Sequence, residues 1–163
     1  MNKEAAIVAF TLTSPAFAGG EMIPVKYTGD GPDLSPQLKW IAPPGAAKSL
    51  VLIVDDPDAP VGTWVHWVLV GLPPDRKSLP EGVDTGAHPK GIEGAVNGKN
   101  DFGRLGYGGP APPRGPAHRY FFKLYALDAA LSLRSGATKA EVEKAMKGHI
   151  LGQAELMGRY QRK

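Results

Sequence analysis

Two aliphatic runs on either side of a loop of prolines and acids constrain this chain more than any other feature of it. Leu50 to Val54 is unbroken, and Val68, Leu69 and Val70 continue a second run that opens near Thr63. Short apolar runs bounded by turn residues suit strands buried on both faces. Ser49 to Val54 and Thr63 to Val70 are therefore read as a central strand pair, covered on both sides, which suggests two stacked sheets. Between them, Asp55, Asp56 and Asp58 stand at a strand's end. Pro57 and Pro60 fix the backbone there and remove two donors, so the carboxylates sit on a stiff loop. In the second strand His66 alternates onto the same face as Trp64 and Val68 and needs a polar partner, for which Asp56 or Asp58 would serve.

The chain's 163 residues fit one domain, and on the usual scaling a domain near this size buries about 70% of its unfolded surface. Its 21 glycines and 16 prolines exceed a fifth of the chain, which favours turns and short strands over long helices. The fold class read from this is mainly β, or β-rich α+β. There is no cysteine, so disulfides, thiol nucleophiles and thiolate metal sites are excluded. A net charge of +3 with scattered basic residues, Arg159, Arg162 and Lys163 aside, gives no basic, aromatic-rich stripe for nucleic acid. Lys3, the apolar Ala5 to Phe10 and Ala16-Phe17-Ala18 imitate a signal peptide. Glu4 and the polar Thr11, Thr13 and Ser14 argue instead for a strand over Ile7 to Leu12. No run is long enough to span a bilayer, and a soluble, cytoplasmic protein is expected.

Along the chain, Met22 to Tyr27 reads as a short strand that Pro24 demotes to an edge or bulge, and Leu38 to Ile41 reads as another. From Leu72 to Arg114 there is little periodicity. A connection of that length is functional or disordered, and Phe102 and Tyr107 favour an ordered loop. Arg119 to Leu127 is the clearest later strand, with Tyr120, Phe122 and Leu124 on the face of the preceding His118. Thr138 and Glu141 form a capping box. Val142, Ala145, Met146, His149, Ile150, Gln153, Leu156 and Met157 recur at helical spacing, which predicts a C-terminal helix, interrupted at Gly148 or Gly152.

Asp56, Asp58, His66, His118 and Tyr120 could form a metal site, an acid/base pair or an anion pocket. Metal-ligand spacing is absent, and Ser14, Ser35, Ser49 and Ser78 all lack the nucleophile-elbow context. Neither a metal nor a cofactor nor catalysis is expected. Asp101-Phe102-Gly103 and His118-Arg119-Tyr120 echo kinase motifs, but no Gly-rich phosphate loop with a strand lysine accompanies them. His88 and His149 receive no role.

Together the motifs are specific. Asp56-Pro57-Asp58-Ala59-Pro60, Trp64-Val65-His66-Trp67, Gly109-Pro110 through Pro113, and His118-Arg119-Tyr120 resemble the signature of the phosphatidylethanolamine-binding protein family, in its bacterial and archaeal Raf kinase inhibitor-like branch. The resemblance covers nearly the whole chain. It implies a two-sheet β-sandwich with short peripheral helices, a small anion pocket at one end and a cis bond before Pro60. It carries over Asp56, Asp58, Pro60, His66, Gly109, Pro110, His118 and Tyr120 as ligand-binding positions. Relatives in that branch commonly have cysteine where this chain has Gly29 and Ala111, so a thiol role does not apply.

The reading reached is a protein that binds a small anion or phosphate group, such as a phospholipid head group. His66 and His118 act as donors or charges, Tyr120 as a hydroxyl donor, Asp56 as the orienter of an imidazole and Gly109 through its backbone N–H. The alternative is a regulatory protein that inhibits a kinase or protease through its pocket and loops. The sequence admits a homodimer.

Overall fold

The computed structural model describes residues 8 to 163. Its strands are β1 (Thr11–Thr13), β2 (Leu38–Ile41), β3 (Ser49–Asp56), β4 (Trp64–Leu72), β5 (Ser78–Leu79), β6 (Val96–Asn97), β7 (His118–Leu127) and β8 (Ile150–Tyr160), with one α-helix, α1 (Lys139–Met146), between the last two. All pairing within the sheets is antiparallel. A five-stranded sheet runs β6-β4-β3-β7-β8, and a three-stranded sheet runs β1-β2-β5.

The central pair is buried on both faces, as its unbroken apolar runs require. Alternate residues separate the two environments. Leu50, Leu52 and Val54 of β3, with Trp67 and Leu69 of β4, share a core with Leu12, Leu38, Trp40 and Leu79 of the smaller sheet. Val51, Ile53, Val68 and Val70 point the other way, against Val142 and Met146 of α1. Two stacked sheets thus account for one face, and the helix closes the other. Lys139, the first residue of α1, pins it to the sheet by reaching the buried Asp55 carboxylate at 2.8 Å, which Lys123 also meets at 3.3 Å.

Three sequence expectations are corrected. The helix predicted to run to Met157 ends at Met146, although the Thr138–Glu141 capping box that starts it is formed. Gly148 takes a left-handed φ of 83°, which turns the chain out of the helix at little steric cost. Ile150 onward then pairs with β7 from Leu127 back to His118. Ala154, Leu156, Gly158 and Tyr160 alternate inward along it, a two-residue period hidden beneath the helical one. His149 consequently lies exposed, bonded to Asp128 at 2.7 Å, and not on a buried helix face.

Met22 to Tyr27 is not a strand. Met22 makes one isolated bridge to Arg159, and Val25–Tyr27 is a single 3-10 turn behind Pro24, whose φ near −60° favours helical entry. Of the strand expected over Ile7 to Leu12, Ile7 lies outside the described residues and pairing begins only at Thr11. Its partner strand gives the reason. After the Thr11–Ile41 pair, Ala42 turns to a φ of 55°, and Pro43 and Pro44 have no N–H to continue a ladder.

The connection from Leu72 to Arg114 is ordered by side chains more than by strands. Asn97, fully buried, accepts from Trp67 Nε1 at 2.9 Å and donates to the carbonyls of Asp84 and Gly86. Asn100 accepts the N–H groups of Phe102 and Arg104 and donates to Gly106. Asp101 accepts the Val65 N–H at 2.7 Å, which ties the loop to the edge of β4 beside His66.

Candidate functional site

A bulge sets the site. Val54 of β3 faces Trp67 of β4, yet the next residue, Asp55, faces Val65. His66 is therefore the extra residue, and a bulge re-aims the side chain it carries. His66 stays with Trp64 on the side of the cavity, while Val68 faces the helix. The simple alternation that would group all three breaks at this position.

The cavity, of about 230 Å³, lies at one end of the large sheet. Its polar lining is Asp56 from the end of β3, His66 from β4, and His118 and Tyr120 from β7. His118 Nδ1 donates to Asp56 Oδ2 at 2.7 Å, and the other Asp56 oxygen accepts the Asp58 N–H at 2.7 Å. The acid thus orients one imidazole and folds its own loop at once. His66 Nδ1 donates not to either acid but to the Gly108 carbonyl, at 2.6 Å. Burial pushes the His66 pKa below its ordinary value, against the weaker opposing pull of the Gly108 carbonyl and the Asp56 and Asp33 carboxylates. The neutral ring then offers Nε2 as an acceptor.

Tyr120 packs its ring edge-on to His66, with centroids 5.1 Å apart. Its hydroxyl is buried and without a hydrogen-bond partner among the described residues. Burial, then the Asp56 charge, raises its pKa well above the usual phenol value, so the hydroxyl keeps its proton and remains a donor.

Of the positions carried over from the resemblance, Asp56, Pro60, His66, His118 and Tyr120 line this one cavity, and Asp58, Gly109 and Pro110 stand outside the lining. Asp58 holds Arg119 through both its carboxylate oxygens and accepts the Arg119 N–H. The guanidinium lowers its pKa to about 2. Gly109 spends its N–H on Asp33 Oδ1 at 2.8 Å, and Pro110 offers its carbonyl to the Gly29 N–H. These residues shape the loops around the cavity. The bond before Pro60 is trans, as no peptide bond in the described residues is cis. The loop closes instead through the Asp58-to-Asp56 turn and a Gly62 N–H to Ala59 carbonyl bond.

Apart from Pro60, the apolar lining was not assigned a binding role from the sequence. Trp64, Phe102 and the loop segments 59–61 and 111–113 supply it. Phe102 belongs to the triplet dismissed as a kinase echo, and its sequence signals are an aromatic residue in a Gly-rich loop and the resemblance of Asn100 to Arg104 to the same family branch. Among the described residues, no group of three or more His, Asp or Glu is placed to hold a metal ion.

A two-sheet sandwich with an imidazole–carboxylate cavity at the end of its larger sheet defines a class of β-sandwich domain. Residues 13–161 match the phosphatidylethanolamine-binding protein family, and the chain belongs to that family. It is 53% identical over 152 residues to a UPF0098 protein of the archaeon Methanothermobacter thermautotrophicus, covering 93% of this chain and 98% of that one. It is 50% identical to a UPF0098 protein of the bacterium Aquifex aeolicus, covering 91% and 86%. Among solved structures, it resembles a phosphatidylethanolamine-binding protein homologue from Chlamydia trachomatis, with a TM-score of 0.86, 45% identity and coverage of 95% and 99%. It also resembles YbcL of E. coli, described as a member of the mammalian family, with a TM-score of 0.87, 34% identity and coverage of 94% and 99%. No helix among the described residues is long and apolar enough to cross a membrane.

Proposed function

We propose that the protein binds a small anionic group, of phosphate or carboxylate type, in the Asp56–His118 cavity and does so without turning it over. The observation that carries this reading is the Tyr120 hydroxyl, a buried donor with no protein acceptor among the described residues, beside two imidazoles. Leaving such a donor unpaired costs about 1–3 kcal/mol, and a ligand oxygen would remove that cost. A protonated imidazole beside it contributes a charged hydrogen bond, about twice the strength of a neutral one. The case against turnover is the lining itself, which in the described residues includes no serine, threonine or lysine to act as a nucleophile.

Since burial keeps His66 neutral, anion binding should draw a proton onto it, favoured by the facing Asp56 and Asp33 carboxylates. Affinity then rises as pH falls. Sulfate is the better probe because it stays dianionic from pH 8 to 6, whereas phosphate gains a proton. Titration calorimetry should show sulfate binding more tightly at pH 6 than at pH 8, with the slope reduced in His66→Ala or His118→Ala. A flat profile, or one unchanged in both variants, would refute the reading.

A regulatory role towards a kinase or protease is a second reading, favoured by Val61, which is 80% exposed at the cavity's mouth. A partner would place its anionic group in the cavity and rest on Val61. Inhibition of such an enzyme that is relieved by millimolar phosphate is its test, and inhibition insensitive to phosphate argues against it.

A further inference from the structure

The floor and walls of the cavity differ in character, and the difference limits what fits. On the floor stand one carboxylate and two imidazoles, and among the described residues no lysine or arginine lines the space. With both rings protonated, the net charge of the floor is +1, from −1 for Asp56 and +1 for each imidazole. One negative charge is matched there, and a second is not.

Size adds a second constraint. An apolar cavity of about 150 Å³ holds a benzene molecule, and this one measures about 230 Å³. A bare oxyanion would occupy only the floor and leave the apolar walls against water.

Those walls include a built aromatic corner. The Phe102 ring lies edge-on to both Trp64 and His66, with centroid separations of 5.6 and 5.3 Å. Its backbone is held by the Asn100 side chain at 3.0 Å. Gly108 leaves room for the ring, since a Cβ there would come within 2.7 Å of Phe102 Cδ2. The Arg104 guanidinium lies over the Phe102 ring, 5.5 Å from its centroid. Phe102 nonetheless remains 36% exposed and lines the cavity, where it can meet a ligand ring in offset or edge-to-face contact.

Resting on the anion-binding reading above, we infer that the ligand is a small ring-bearing monoanion, an aromatic carboxylate in chemical class. Its oxygens meet His66, His118 and Tyr120, and its ring packs against Trp64 and Phe102. Phe102 is then the residue that selects for the ring.

The test is calorimetry on the full chain at pH 6 with benzoate, acetate, benzamide and inorganic phosphate. Benzoate should bind about 10-fold or more tighter than acetate, the range that a modest apolar contact supplies, and tighter than benzamide and phosphate. Phe102→Ala should weaken benzoate binding far more than acetate binding and so remove most of the benzoate advantage, with Phe102→Leu between the two. Equal affinity for benzoate and acetate would overturn the inference and leave the anion-binding reading standing. Phosphate binding more tightly than benzoate, benzamide matching benzoate, or Phe102→Ala weakening acetate and benzoate alike would overturn it too. If none of the anions binds, the broader reading fails and this one with it.

Discussion

His66 and Gly108 are hydrogen-bonded twice: the imidazole Nδ1–H donates to the Gly108 carbonyl at 2.6 Å, and the Gly108 N–H donates to the His66 carbonyl at 2.9 Å. The pair locks the bulge of β4 to the loop that follows Phe102. It also fixes the ring's tautomer, because a carbonyl can only accept and Nδ1 must carry the proton.

Nitrogen-15 NMR at neutral pH should therefore show His66 as a neutral ring protonated at Nδ1, with Nε2 titrating below 6.5, its ordinary value. Saturating sulfate should move that titration upward. A ring protonated at Nε2 alone would contradict the geometry.

The same burial links stability to pH. The folded His66 ring resists a proton that the unfolded chain accepts from about pH 6.5 downward, so stability falls as pH drops through that value. The loss levels off once the folded ring is also protonated. Urea midpoints of the ligand-free protein at pH 7.5 and 5.5 should differ in that direction, and His66→Gln should shrink the difference. Asp58 acts in a separate window. With its folded pKa near 2, the stability it adds is present above about pH 4 and lost only as pH falls toward 2.

Tyr120→Phe should separate stability from binding. Removing a buried hydroxyl without a partner relieves a cost of about 1 kcal/mol or more, so the free protein should be as stable as wild type or more so. Anion affinity should fall about 5- to 10-fold for the lost donor. Denaturant midpoints and calorimetric titrations of the same preparation check both halves.

Asp56→Asn should weaken anion binding through the orientation of His118, whose Nδ1 donates to the carboxylate. A loss of about 10-fold is expected, because the charged partner contributes about 1.5–3 kcal/mol and the amide retains part of it. The readout that separates this from general destabilisation is NMR of His66, which should keep its Nδ1–H tautomer in the variant while anion affinity falls.

Asp55 faces away from the cavity and is almost wholly buried between Lys123 and Lys139. Replacing one lysine by methionine should cost modestly, since the other still compensates the carboxylate. Replacing both leaves an unpaired buried charge and should cost about 3–5 kcal/mol. Adding Asp55→Leu should restore much of that loss. Thermal denaturation of the four proteins at one pH decides it.

The β-rich class, the central pair and β7 were legible in the sequence because short-range pattern and burial agree there. Leu50 to Val54 is apolar at every position, and Tyr120, Phe122 and Leu124 alternate cleanly. The capping box at Thr138 was legible for the same reason: its donors and acceptors lie within one turn. The acids and imidazoles of the site could be grouped from the sequence as one cluster, but only the resemblance of whole motifs favoured an anion pocket over their other uses. Singly, each has an ordinary structural use, and Asp58 and Gly109 are in fact engaged with Arg119 and Asp33.

Long-range pairing decided the rest. Ile150 to Tyr160 carries helical and strand periods at once, and it became a strand because the open edge of β7 could satisfy its backbone bonds along the entire element. His66 could be seen to need a partner, but the bulge that turned it to Gly108 depends on the register between β3 and β4, which no local pattern encodes. By itself the sequence determined the buried runs of the central strands and the chemistry that the site residues bring. Only the tertiary structure decided which of them meet, because a hydrogen bond requires its two atoms within about 3 Å and residues 42 or 62 positions apart reach that distance only when the sheet is closed.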